Sequence, residues 1–80
     1  MRIIDRIQHP DMLITIFHMN DKYIVKFEAG LMEQVFKFSQ EQFPGVEQIK
    51  NALDEIFLNK VIQRFHDMFS DLKAIKQKAS

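Results

Sequence analysis

The sequence predicts an α+β domain: a four-stranded antiparallel meander followed by one long C-terminal helix. Three observations carry that prediction. Four short stretches rich in β-branched and aromatic residues fill positions 2–38, separated by brief turn-forming breaks. From Val46 to Gln77 there is neither glycine nor proline, and apolar residues recur at spacings of three and four. The breaks between strands are too short for a crossover, so sequential strands must pair antiparallel.

Each element has its own signal. Residues 2–7, RIIDRI, alternate loosely and suit a strand. QHPD at 8–11 is a turn. MLITIFHM at 12–19 is an apolar run of strand length, and Asn20–Asp21 is a two-residue hairpin break. Residues 22–28 form a third strand, Ala29–Gly30 a second tight turn, and LMEQVFKF at 31–38 a fourth strand. Ser39 and Gln42 have capping-box spacing, but Pro44 and Gly45 follow too soon for a smooth helix. A short turn at 40–43 is expected, with the helix beginning near Pro44, where proline is tolerated. The chain divides as 1–38 meander and 39–80 turn and helix, one domain over 1–80.

Composition narrows the function. Of 80 residues, 46% are hydrophobic, with eight Phe and five Met, a large apolar load for a domain with so thin a core. Self-association is one way to bury it. There is no cysteine, so neither a disulfide nor a thiolate metal site is expected. Eleven basic and eleven acidic residues balance, which counts against strong nonspecific nucleic-acid binding but leaves room for a local basic patch. No secretory signal and no membrane span is expected, and a cytoplasmic protein is the default.

Pairing across two-residue turns sets the faces. Met19 should face Lys22, Phe17 Ile24 and Thr15 Lys26. Around Ala29–Gly30, Phe27 should face Met32 and Lys26 Glu33. One face then collects Ile14, Ile16, Tyr23, Val25, Phe27, Met32, Phe36 and Phe38, a core with His18 and Gln34 as its polar exceptions. The other collects Phe17, Ile24 and Val35 among Lys22, Lys26 and Lys37, with Arg2, Ile4 and Arg6 added from the first strand. Five basic groups stand there against Glu28 and Glu33. So contiguous an apolar and basic face is expected to meet something.

The helix is too long for its domain. Residues 44–77 would span roughly 50 Å at about 1.5 Å per residue, against a radius of gyration of about 12 Å for a compact chain of this size. Its apolar stripe also turns. Val46, Ile49, Leu53 and Ile56 follow one line; Val61, Phe65, Met68, Leu72 and Ile75 follow another, rotated by roughly 100°. The join falls at FLNK, 57–60. The first line is assigned to the chain's own sheet. The second is assigned to a homodimer interface in which C-terminal helices pair or exchange, the alternative being a kink near Asn59.

Catalytic chemistry finds no foothold. His9, His18 and His66 lack metal-ligand spacing, Asp54 and Glu55 diverge on a helix, and the single glycines make no phosphate loop. No enzyme activity, metal or cofactor is expected. His18, opposite Tyr23, is expected to form a hydrogen-bonded rim pair.

The ββββα order, with FKFSQEQF (36–43) running into a helix, resembles the single-stranded DNA-binding domain of the transcriptional coactivator positive cofactor four. It is also similar to one half of Whirly and Pur-type folds, over residues 12–65. That resemblance implies paired subunits and a sheet face that binds single strands. Phe43 would anchor the helix start, and Lys22, Lys26 and Lys37 would make basic contacts. Pro44–Gly45 departs from the family's continuous helix start. The expected function is single-stranded nucleic-acid binding through Arg2, Arg6, Phe17, Lys22, Lys26 and Lys37. The alternative is a protein-interaction module or small inhibitor docking through the sheet face or the C-terminal helix.

Overall fold

Two tight turns order the sheet. Asn20 and Gly30 occupy the left-handed region, with φ of 56° and 61°, as the first central residue of a primed two-residue hairpin turn must. In the computed structural model, which describes residues 1–79, they join β2 (Leu13–Met19) to β3 (Lys22–Ala29) and β3 to β4 (Met32–Ser39). With β1 (Arg2–Ile7) these form one antiparallel sheet in the order β1-β2-β3-β4, followed by helices α1 (Val46–Ala52) and α2 (Glu55–Ala79). Ser80, the last position of the expected domain, lies outside the described residues.

The β2–β3 register is the expected one, with Phe17 opposite Ile24 and Thr15 opposite Lys26. The β3–β4 register is offset by two residues, because the turn is Gly30–Leu31 and not Ala29–Gly30. Phe27 therefore faces Gln34, and Lys26 faces Val35. An offset of two preserves the faces, since side chains alternate with period two. A different irregularity does not. Between Ile3 and Asp5 the β1–β2 register shifts by one residue. This bulge puts Ile3 opposite Phe17 on the outer face, turns Ile4 against the core and pairs Arg2 with His18 on the helix side. Arg2 and Ile4 thus leave the outer face to which alternation assigns them, while Arg6, opposite Thr15, stays.

The inner face carries the core. Met12, Ile14, Ile16, Tyr23, Val25 and Phe27 pack against Ile49 and Leu53 of the α1 segment and Val61 and Phe65 of α2. Phe27, Phe36 and Phe57 form an aromatic cluster with centroids 5.4–6.1 Å apart. Edge and tilted contacts of this kind add to area burial. Gln34, a polar exception on this face, donates from Nε2 to the Val61 carbonyl at 2.9 Å, fastening β4 to α2. His18 pairs opposite Tyr23 with ring centroids 5.0 Å apart, but its hydrogen-bond partner is Gln40.

The helix breaks earlier than its stripe suggests. Leu53 ends α1, its N–H reaching the carbonyls of Ile49 and Lys50 with non-helical φ and ψ of −84° and 63°. Asp54 then opens α2: its Oδ1 accepts the Phe57 N–H at 2.8 Å. Such a side-chain cap is typically worth about 1 kcal/mol. The aspartate itself, not a glycine or proline, starts the new helix, and 57–60 lies inside it. The break lets both segments lie on one sheet. Ile56 falls outside the core and is exposed, and Phe57, Leu58 and Val61 take over.

Val61 and Phe65, assigned from sequence to a dimer interface, are therefore buried in the chain's own core. The sheet's inner face needs a cover that the short α1 cannot supply alone. Met68 and Leu72 are half-buried, and Ile75 is exposed. The 25 residues of α2 extend about 37 Å, beyond a sheet of six- to eight-residue strands, and the molecule measures 47 × 25 × 19 Å. No helix among the described residues is long and apolar enough to cross a membrane.

An ion pair ties β1 to α1: Lys50 Nζ meets Asp5 Oδ2. The Lys50 ammonium, then the Arg6 N–H, hold the Asp5 carboxyl below its ordinary range, and Asp5 raises Lys50. A lowered carboxyl contributes stability above its unfolded pKa of about 3.9 and loses it as pH falls through the folded value. A raised lysine contributes below about 10.4 and loses it as pH rises through its folded value. Asp5→Asn is expected to lower stability by a constant amount between about pH 5 and pH 9, with the gap to wild type closing in acid. Urea melts across pH check this; a gap that persists below Asp5's folded pKa would mean the pair contributes nothing through charge.

Candidate binding surface on the outer sheet face

The face turned away from the helices is built by β-alternation, row by row. At one end Met19, Lys22 and Ser39 lie across from one another. The next row is Ile3, Phe17, Ile24 and Lys37, and the next Arg6, Thr15, Lys26 and Val35. The last holds Leu13, Glu28 and Glu33. Positive charge thus occupies the first three rows and negative charge the fourth.

Ile24 between two lysines has a plain structural explanation. It sits at the centre of the face and is only 7% exposed, covered by its neighbours. Phe17, directly opposite, is half-buried, and the Lys26 ammonium lies 5.7 Å from its ring centroid. Lys26 also reaches Glu33 at 3.7 Å. Lys26 is therefore partly engaged within the chain. Arg6, Lys22 and Lys37 are exposed. Ile3, Leu13, Met19 and Val35 stay exposed around them.

Of the six residues that sequence points to for nucleic acid, the structure brings Arg6, Phe17, Lys22, Lys26 and Lys37 together and separates Arg2. Ile3, which replaces it, has no sequence signal, because nothing in RIIDRI marks the bulge. Glu28 lies directly opposite Glu33. Like charges directly paired across strands destabilise a sheet, a cost offset here only by the reach of Glu33 to Lys26.

Phe43, given an anchoring role by the resemblance, packs edge-on against Phe38 at 5.1 Å. The turn before it is closed by Ser39, whose Oγ accepts the Glu41 N–H and whose carbonyl accepts the Phe43 N–H.

A second surface, of which the sequence marks Leu72 and Ile75 but not Leu31 or Phe69, lies at the end of α2. Beside the free end of α2, two adjoining hollows of about 470 and 360 Å³ run between the helix and the β3–β4 turn. Leu31 in that turn is 81% exposed, and Phe69 and Ile75 on α2 are 60% and 62% exposed. Placing Leu31 in a strand conceals it. Among the described residues no group of three or more His, Asp or Glu could hold a metal ion. No protein-family model, no curated protein and no solved structure matches the chain.

Proposed function

We propose that this chain is a non-enzymatic binding protein of the cytoplasm whose outer sheet face takes single-stranded nucleic acid. The observation that supports this most directly is the cluster of Arg6, Lys22, Lys26 and Lys37 around Phe17 on one face. Single-strand binders combine cations that follow the backbone with an aromatic on which a base stacks. The strand would cross from β4 to β1 over Lys37, Ile24 and Phe17, away from Glu28 and Glu33. Three strand spacings give a path of about 14 Å, room for a few nucleotides, so affinity per subunit is modest.

The experiment is a titration of a labelled single-stranded oligonucleotide, read by fluorescence anisotropy at several salt concentrations. Four phosphate contacts predict that log K falls with log salt at a slope of about −3. Combining Lys22→Glu, Lys26→Glu and Lys37→Glu is expected to abolish binding while the melting curve stays cooperative. Affinity that survives the triple change removes this face as the site.

The Glu28–Glu33 pair favours a second reading, a protein partner with a basic residue for the acidic end. The two readings differ in sign. Removing both charges with Glu28→Gln and Glu33→Gln should raise oligonucleotide affinity if the ligand is nucleic acid. A wild-type chain with no oligonucleotide affinity at low salt points to the protein partner.

A further inference from the structure

We propose that the free end of α2 and the groove beside it hold a second copy of this chain, packed antiparallel about Leu72. This uses a different surface from the nucleic-acid reading and does not rest on it. After Phe65 no residue of α2 is buried, yet Met68, Phe69, Leu72 and Ile75 continue the apolar side of the helix for two more turns. Met68 still packs against the edge of the core, but Phe69 and Ile75 are exposed, and an exposed apolar patch of this kind marks an interaction site.

The groove's charges identify the occupant. Lys73 and Lys76 line one end, and Asp11 lines the other, with Met32, Phe69 and Leu72 between. A two-fold copy running antiparallel exchanges these ends, so each lysine-bearing tip enters beside the other copy's aspartate. The helical repeat of about 100° per residue supports the same pairing. Phe69 and Lys76 lie on the groove side of Leu72; Met68 and Ile75 lie on the opposite side. With Leu72 on the two-fold axis, Met68 meets the second copy's Ile75, and Lys76 comes over the second copy's Phe69, a cation–π contact. Leu31 then covers the end of the incoming helix.

Parallel pairing is blocked. Val61 and Phe65 lie within about 20° of Leu72 around the helix, and the chain's own sheet covers that side. Two parallel helices meeting along it would have both sheets wedged between them. An antiparallel copy overlaps only the free ends. The overlap is short, so the interface belongs to the small size class, and the dimer should form over micromolar concentrations.

The test is the solution mass of the full chain by sedimentation from a few micromolar to about 0.5 mM. The expected result is a shift from monomer to twice that mass. Leu72→Asp should remain monomeric throughout and melt like the dilute wild-type monomer. The natural chain has no cysteine, which gives a second measurement that does not depend on that variant's folding. Leu72→Cys should cross-link to itself under mild oxidation, and Ala79→Cys, far from the two-fold axis, should not. A wild-type monomer at every concentration overturns the proposal. So does a dimer that survives Leu72→Asp but is lost on Val35→Lys, which would move the interface to the outer sheet face. Ala79→Cys linking as readily as Leu72→Cys overturns the antiparallel arrangement.

Discussion

Phe27→Ala is expected to remove a large share of the protein's stability. Phe27 is fully buried at the centre of the sheet and packs against the rings of Phe36 and Phe57. Truncating a buried phenylalanine costs about 3–5 kcal/mol, through lost transfer energy and the cavity left behind. A chain of this length has a total stability of about 4–12 kcal/mol. Urea denaturation should show the midpoint falling by about 2–3 M. Phe69→Ala is the matched control: its ring is on the surface, and the midpoint of the dilute monomer should hardly move. Equal losses for the two variants would show that Phe69 is as much a part of the core as Phe27.

Ending the chain at Asn59 is expected to abolish folding outright. The truncation removes Val61 and Phe65, both buried, together with the Val61 carbonyl that receives Gln34. It leaves Ile14, Ile16, Val25 and Phe27 covered only by the α1 segment and the first turn of α2. Two large core side chains and a half-buried hydrogen bond together cost most or all of the stability of so small a domain. Circular dichroism of the shortened chain should show loss of the cooperative melt. Ending the chain after Ser70 keeps every buried residue and should leave a cooperative melt. A well-folded chain ending at Asn59 would mean that α2 packs mainly on something other than its own sheet.

The two truncations separate what one stripe of residues conceals. Val61, Phe65, Met68, Leu72 and Ile75 repeat at four and three without interruption, and the repeat says only that one side of the helix is apolar. Where along that side the sheet stops is a matter of strand length and of where α2 begins. The start is set by Asp54, whose capping role is visible in the sequence as an aspartate three residues before Phe57. A search confined to glycine and proline misses it. On the outer face the situation is similar. Lys22, Lys26, Lys37 and Phe17 follow from alternation and two hairpin turns. Arg2 does not, because a single inserted residue in β1 reverses every side chain beyond it.

Local chemistry was therefore sufficient for the four strands, both hairpins, the core face and the basic outer face. Each depends on a period-two pattern and on turn residues a few positions apart, and an error of two residues in the β3–β4 turn left the faces intact. Long-range packing settled the rest: the bulge in β1, the burial of Val61 and Phe65, and the apolar groove beside Leu31 and Phe69. A one-residue register shift reflects a balance between side chains on different strands. The boundary between core and free helix reflects how far one element reaches over another. Both are properties of elements brought together in space, and no window of the chain contains them.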